Sequence, residues 1–530
     1  MYKEIVEKMS LREKIQQTVV VLMEKGKKIE FSPGAAFFFG QIITEADETG
    51  ISELRGYVKE LYDSCEIPPL ITSDFENGCG SMVKGLTPLP YMMSLGATDD
   101  ESIAYDYGRA TALEARTVGA NWTFSPVCDL NMNFRNPLVN NRSLTDNPEL
   151  ACKMLPNVIR GMQDGGIAAC AKHFPGDGVD YRDQHLTTTA NSLSLEDWKN
   201  SFGKVYKKLF ANGVMSVMAG HIAFPAYPQK LSEKFSMPLP ATLNKALITD
   251  LLKGELGFKG IVVTDALDMG GYAGWYDTRE QSEIESFKAG CDMMLWPSET
   301  YVDNLERAIK NGEVSEERLN DAVTRILSVK ERLGLLSDNY NPFYDLTETD
   351  KAFVKATQSK CAEKCITLIC DKEKHFPIDA KKVRKIGINV VTEHPPVKEE
   401  ALALKREFEK RGFEVNYTDT GFYDNEKLYS FYAENDLIIY AFFSRPFRPM
   451  GFIDFISGRA VQIKNAFCPP NAMEKTAFVS FGSPYIGKQY FQRAGTYVNA
   501  YSMLECEAVA FVKAACGEIE FSGKSPVEIK

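Results

Sequence analysis

The chain alternates short, almost continuously apolar runs with longer segments in which apolar residues recur at helical spacing. Such apolar runs are typical of strands buried on both faces, and the amphipathic segments predict helices packed on them. In the first 340 residues the predicted strands are 18–22, 36–43, 70–74, 122–129, 168–174, 214–221, 260–265 and 293–296. The predicted helices between them are 53–64, 100–118, 148–164, 195–212, 243–256, 280–289 and 302–311.

This alternation predicts an α/β fold with a parallel sheet and right-handed crossovers. Eight strands in the first 340 residues favour a (β/α)8 barrel of the TIM type. An open doubly wound sheet is the alternative, but the sequence lacks the GxGxxG turn that would support it.

A polar stretch rich in Asn, Pro and Asp follows the barrel and reads as a linker, which we place at 341–355. The catalytic barrel then spans 1–340, and a second domain spans 356–530. Five further apolar runs predict that the second domain is a smaller α/β sandwich, with strands at 366–370, 386–391, 437–443, 476–481 and 496–501.

The composition of the chain excludes several classes of protein. The 530 residues are 44% apolar and 25% charged, which excludes wholesale disorder. The 61 Lys and Arg against 72 Asp and Glu give a net charge of -11, so binding to nucleic acid or to an anionic membrane has no electrostatic support. The 12 cysteines are scattered, and we find neither a signal-peptide core nor a membrane-spanning run. These features predict a cytoplasmic protein with reduced thiols.

Candidate chemistry concentrates at the carboxyl ends of the predicted strands, where barrels of this kind carry their active sites. Asp183 and His185 lie two residues apart on one loop, so the carboxylate can hold one ring nitrogen and leave the other to exchange protons. Read singly, each residue has a structural alternative; for Asp268 we favour a helix N-cap over a functional role. The other residues on this rim are Asp74, Asp129, Arg142, Lys172, His173, His221 and Asp265.

Together these side chains describe a sugar site. Carboxylates, a lysine and an arginine can hydrogen-bond sugar hydroxyls, one carboxylate can attack the anomeric carbon, and one group can protonate the leaving oxygen. Three segments resemble glycoside hydrolase family 3. They are Lys172-His173-Phe174-Pro175-Gly176, the loop from Arg182 to His185, and the segment that ends in Thr264-Asp265-Ala266. The Asp-x-His pair is similar to that of the β-N-acetylglucosaminidase branch.

The resemblance implies a retaining mechanism without metal or organic cofactor. In it Asp265 is the nucleophile, and His185, oriented by Asp183, is the general acid and then the base. Asp74, Arg142, Lys172 and His173 hold the sugar hydroxyls. Two positions depart from the family pattern: Cys79 stands where D-x-E-G-G-R has its arginine, and Asp177 stands where F-P-G-H-G has its histidine.

Three hypotheses about the function stay open at this point, the second of which covers two activities. The leading one is an exo-acting β-N-acetylglucosaminidase with a small-molecule carbohydrate substrate, in the recycling of cell-wall fragments as in other family members. The second is a β-N-acetylglucosaminide phosphorylase or a β-glucosidase of the same family. The third is a sugar-binding protein on an inactive barrel. The sequence leaves the oligomeric state undetermined.

Overall fold

The fold is described by a computed structural model that covers residues 2–43, 45–392, 398–419, 424–446, 470–487 and 494–529. The strands of its first part are β1 (Val19–Met23), β2 (Ala35–Phe38), β3 (Leu70–Ser73), β4 (Trp122–Thr123), β5 (Cys170–Phe174), β6 (Thr189–Ala190), β7 (Ser216–Ala219), β8 (Ile222–Ala223), β9 (Ile261–Thr264) and β10 (Met294–Leu295). All eight strands predicted for this part have a counterpart, although most are shorter than predicted.

Eight of these strands close into one parallel barrel. They form two ladders, β10-β1-β2-β3-β4 and β5-β7-β9. Backbone bridges join the ladders on both sides, because Trp122 pairs with Ala168 and Val263 pairs with Met293, all in parallel orientation. The predicted TIM-type barrel is confirmed, and the open doubly wound sheet is wrong.

Helices surround the barrel strands. They are α1 (Tyr2–Lys8), α2 (Leu11–Gln16), α3 (Glu48–Ser64), α4 (Met92–Thr98), α5 (Glu101–Thr117), α6 (Pro148–Asp164), α7 (Leu195–Asn200), α8 (Phe202–Ala211), a π-helix (Ala246–Glu255), α9 (Arg279–Ala289), α10 (Tyr301–Lys310) and α11 (Glu316–Arg332). Helix α6 shows how the local sequence determines where a helix begins. The Asn147 side chain caps its N-terminus, and Pro148, its first residue, has no amide hydrogen that needs a partner.

The second domain is a smaller α/β unit around one sheet, as predicted. Its strands, in the spatial order β11-β16-β15-β14-β12-β13, are parallel except for the antiparallel pair β11 and β16. In chain order they are β11 (Thr367–Asp371), β12 (Lys385–Thr392), β13 (Glu414–Thr418), β14 (Leu437–Ser444), β15 (Thr476–Gly482) and β16 (Thr496–Asn499). The helices are α12 (Glu348–Cys365), α13 (Lys398–Lys410), α14 (Asn425–Glu434) and α15 (Glu505–Ala515).

The segment predicted as a linker, 341–355, is irregular only up to the start of a helix. Helix α12 begins inside it, at Glu348, because Thr347 and Asp350 form a reciprocal capping box. This helix packs on α4 and α5 of the barrel and on α15 of the second domain, so it ties the two domains together. The boundaries at 340 and 356 themselves stay predictions.

The described residues add three general facts. None of their helices combines the length and apolarity needed to cross a bilayer. Their cysteines are free thiols rather than disulfides. No group of three or more of their His, Cys, Asp or Glu side chains is arranged to hold a metal ion.

Candidate active site

A cavity of about 960 Å³ opens where the carboxyl ends of the barrel strands meet. Asp74 follows β3 directly, Asp265 follows β9 directly, and Lys172 and His173 lie on β5. Since the strands are parallel, their carboxyl ends meet at one end of the barrel. The predicted site residues that line the cavity are Asp74, Arg142, Lys172, His173, His185 and Asp265. The family resemblance gives seven residues a role, and the structure brings six of them into this cavity.

A network of ion pairs fills one side of the cavity. The Lys172 ammonium lies 2.7 Å from a carboxylate oxygen of Asp74 and 2.7 Å from one of Glu76. The Arg142 guanidinium donates two hydrogen bonds to the Glu76 carboxylate, at 2.8 and 2.7 Å. Burial would lower the pKa of Lys172, but the charges of Asp74 and Glu76 outweigh it and raise the net pKa. Both cations therefore stay charged, each in a fixed position.

Sequence reasoning did not assign Glu76 to the site. It lies two residues after Asp74 on the same strand end, and that spacing was the available signal. The side chain joins Arg142 to Lys172 and is mostly buried. Cys79, at the position where the family pattern has arginine, is buried and hydrogen-bonds the carbonyl of Thr111.

Asp265 lies among three imidazoles. One of its carboxylate oxygens accepts a hydrogen bond of 2.8 Å from the amide of Ala266, and the other lies 3.9 Å from Nε2 of His173. Burial acts to raise the pKa of Asp265, but His173, His221 and His185 together lower it below its usual value. Asp265 is therefore an ionised carboxylate at neutral pH, and it lines the cavity.

The seventh predicted residue, Asp183, lies behind the cavity wall and holds His185. Its carboxylate is 2.7 Å from Nδ1 of the His185 ring and also accepts the His185 amide at 2.8 Å. Asp183 is buried, whereas the His185 side chain is 28% exposed, on the cavity. With Nδ1 bound to Asp183, Nε2 is the ring nitrogen left for other partners.

The loop that carries His185 is fastened to the loop after β9. The amide of Gly270 donates to the carbonyl of His185 at 2.8 Å, and the amide of Gly271 donates to that of Gln184 at 3.1 Å. A Cβ at Gly270 would lie 2.4 Å from the carbonyl oxygen of Leu186, so only glycine allows this approach. The backbone thus fixes His185 relative to Asp265.

Two other rim residues differ from expectation. His221 is fully buried, and both of its ring nitrogens have partners. One bonds the hydroxyl of Thr242 and the other bonds the carbonyl of Ala266, at 2.9 Å each. It supports the segment next to Asp265 and does not line the cavity. Asp268, expected to cap a helix, lies exposed on a turn that lines the cavity; α9 begins only at Arg279, capped by Thr278.

The second domain completes the cavity wall. Arg445 and Pro446, which follow β14, and Leu504, which directly precedes α15, line the cavity together with barrel residues. The Arg445 guanidinium lies over the ring of Tyr91, 5.1 Å from its centroid. The site is therefore shared between the two domains.

Sequence comparison assigns the barrel to a family. The model of the glycosyl hydrolase family 3 N-terminal domain matches residues 10–329, which include every strand of the barrel. The chain belongs to glycosyl hydrolase family 3. It is a glycoside hydrolase. Its relatives, described next, confirm the resemblance to the β-N-acetylglucosaminidase branch.

Two relatives of this family 3 enzyme have hexosaminidase names. A β-N-acetylglucosaminidase/β-glucosidase of Cellulomonas fimi is 31% identical over 494 residues, which cover 89% of this chain and 85% of the relative. A β-hexosaminidase of Neisseria meningitidis serogroup C is 30% identical over 265 residues, covering 48% of this chain and 70% of that protein.

Solved structures of family 3 enzymes share the whole fold. The structure of a β-glucoside phosphorylase, BglX, superposes with a TM-score of 0.87 at 28% identity and covers 99% of this chain and 95% of its own. A family 3 β-N-acetylglucosaminidase from a Paenibacillus species has a TM-score of 0.82 at 24% identity, covering 98% of this chain and 99% of its own. The two-domain architecture therefore belongs to both kinds of enzyme.

Proposed function

We propose that this family 3 enzyme is a retaining exo-β-N-acetylglucosaminidase that releases terminal β-linked N-acetylglucosamine. The observation that carries the proposal is that Asp265 and His185 line one cavity, while the buried Asp183 holds His185 from behind. The backbone bonds of Gly270 and Gly271 fix the loop of His185 to the loop of Asp265. The names of the bacterial relatives support the choice of sugar.

In the first step an oxygen of the ionised Asp265 attacks the anomeric carbon, and the glycosidic bond breaks. The proton on Nε2 of His185 passes to the leaving oxygen, so that the aglycone departs as an alcohol. The product is a glycosyl ester of Asp265, and His185 is now neutral. In the second step His185 takes a proton from water, whose oxygen attacks the anomeric carbon and frees Asp265 with net retention.

The buried Asp183 suits His185 to this exchange. Its carboxylate binds Nδ1 and fixes the ring, so that Nε2 is the nitrogen that donates the first proton. Asp74, Arg142, Lys172 and His173 are proposed to bind the sugar hydroxyls, because they offer acceptors and cationic donors on one side of the cavity.

We expect Glu76→Gln to weaken substrate binding more than turnover. The variant leaves Arg142 and Lys172 with less of their opposing charge, so the donors that hold the sugar lose their fixed positions. KM should rise by about ten- to a hundredfold, with a smaller fall in kcat. The measurement is steady-state kinetics on an aryl β-N-acetylglucosaminide.

Glu283→Gln is the matched control, since Glu283 is also a buried carboxylate paired with an arginine, Arg279, but lies outside the cavity lining. It should lower the melting temperature without raising KM. Equal KM values for the two variants would show that Glu76 does not contribute to substrate binding.

The proposed sugar is tested by comparing p-nitrophenyl β-N-acetylglucosaminide with the corresponding β-glucoside. We expect kcat/KM to favour the N-acetyl substrate, with the product forming in the β configuration by NMR. Equal or faster turnover of the glucoside would reassign the enzyme as a β-glucosidase. Binding of N-acetylglucosamine without any turnover would indicate an inactive sugar-binding protein.

A second candidate function is phosphorolysis, favoured by the full-length likeness to a β-glucoside phosphorylase. A carboxylate in the acid/base position would repel an incoming phosphate, whereas the imidazole of His185 does not. Rates measured with and without inorganic phosphate separate the two functions. Acceleration by phosphate, with a sugar 1-phosphate as product, would replace hydrolysis by transfer to phosphate.

The cellular setting is part of the proposal. The free thiols fit a reducing compartment, which supports a cytoplasmic location. A role in recycling cell-wall fragments stays a prediction from the family resemblance.

A further inference from the structure

Asp177 occupies the position of the histidine in the family pattern, yet it does not line the cavity. Its side chain is turned into the protein and only 2% of the residue is exposed. One carboxyl oxygen accepts hydrogen bonds from the Asn136 side chain at 2.8 Å and from the Gly178 amide at 2.6 Å. The other oxygen is buried and has no hydrogen-bond partner.

The Asp177 amide connects this residue to the substrate side of the site. It donates to an oxygen of the buried Asp129 at 2.8 Å. The same carboxylate accepts the His173 amide at 3.0 Å and lies 2.7 Å from Nδ1 of the His173 ring. Nε2 of His173 in turn faces Asp265 at 3.9 Å. A chain of contacts thus runs from Asp177 through Asp129 and His173 to the proposed nucleophile.

Asp177 and Asp129 are both buried, and the Asp177 amide binds the Asp129 carboxylate, so ionising both carboxyl groups carries a large penalty. Asp129 accepts from N–H donors on both of its oxygens, which suits the carboxylate form. Asp177 has an unused oxygen that can carry the proton. Burial first, and the charge of Asp129 second, raise the pKa of Asp177 to about 8; Arg142, on the turn before α6, acts in the opposite direction. His173, from β5, faces Asp129 on its other side.

We propose that Asp177 is a positioning residue that acts in its neutral form, leaving Asp129 as the single anion that holds His173 towards Asp265. Ionisation of Asp177 places a second negative charge beside Asp129, and the repulsion loosens the grip of Asp129 on His173. Turnover then falls as the proton is lost. The effect on turnover rests on the proposed function, whereas the neutral state of Asp177 does not.

The kinetic test uses 2,4-dinitrophenyl β-N-acetylglucosaminide, whose leaving group needs no proton, so that the first step does not depend on proton donation by His185. For the wild type we expect kcat/KM to fall several-fold between about pH 7 and pH 9, because the pKa of Asp177 lies in this window. Asp177→Asn keeps the bond to Asn136 and cannot ionise, so its alkaline fall should disappear. The proposal is overturned if the variant retains the wild-type profile.

Asp177→Ala and Asn136→Ala extend the test. Asp177→Ala removes the acceptor for Asn136 and Gly178, so we expect about a tenfold loss of kcat at pH 7 that Asp177→Asn does not show. Asn136→Ala removes a hydrogen bond that stabilises the ionised form, so the alkaline fall should move to higher pH. A fall that stays in place in Asn136→Ala counts against Asp177 as its origin.

Infrared difference spectra test the protonation state without any substrate. We expect a protonated-carboxyl band in the wild type at pH 7 that is missing in Asp177→Asn and is lost on titration to about pH 9. Absence of this difference band overturns the neutral state of Asp177. If the band is present but no N-acetylglucosaminide is turned over, the proposed substrate fails while the assignment of Asp177 stands.

Discussion

Asp265→Asn is expected to reduce kcat on the aryl β-N-acetylglucosaminide by on the order of a thousandfold or more. The amide cannot form the glycosyl ester, and it also removes the negative charge that the three surrounding imidazoles stabilise. The fold should survive, because the side chain keeps its volume and its hydrogen bond from Ala266. The measurement is kcat, with circular dichroism and the melting temperature as checks on folding.

Asp268→Asn is the matched control for this variant. Asp268 is a second carboxylate on the same loop and lines the same cavity, but it is exposed and lies on a turn. It should retain most of the wild-type kcat. If Asp268→Asn is inactive and Asp265→Asn is not, the nucleophile is Asp268, and the mechanism proposed for the site must be redrawn.

The second large effect is expected for His185→Ala. Loss of the general acid should lower kcat/KM by about 10²- to 10⁴-fold on substrates whose leaving group needs a proton. The dinitrophenyl substrate should be affected far less in the first step, because its leaving group departs as an anion. The ratio of the two losses, taken from a series of aryl leaving groups, is the measurement.

Asp183→Asn tests how Asp183 supports proton transfer by His185. The amide still reaches Nδ1 but lacks the carboxylate charge beside the ring, so the loss should be smaller than for His185→Ala and should follow the same dependence on the leaving group. Asp180→Asn is the control on this loop, since Asp180 binds Arg182 rather than His185. A loss that is equal for all leaving groups would exclude His185 as the acid.

The barrel could be predicted from the sequence because its strands are buried on both faces and read as apolar runs. The strand ends were less predictable: 122–129 was expected as one strand, whereas the regular strand is only Trp122–Thr123. Beyond it, the chain turns to place Asp129 against His173. The hydrophobic pattern does not predict strand β13, because this strand lies at the edge of the sheet and its half-exposed residues form no continuous apolar run.

The site was predictable as far as strand ends and the family motifs reach. Asp183 and His185 reveal their pairing through spacing alone, because a loop segment of three residues holds both. The burial of His221 and the ion pairs of Glu76 depend on residues distant in the sequence, such as Thr242 and Arg142, whose approach only the folded chain defines. For Asp268 the two glycines that follow extend the loop and delay the next helix.

The wall that Arg445, Pro446 and Leu504 supply has a consequence for engineering. These residues contact whatever fills the cavity without belonging to the barrel that carries Asp265 and His185. Exchanging the second domain between homologues should therefore retune ligand preference while the chemical step is conserved. A barrel without the second domain would lack this side of the cavity.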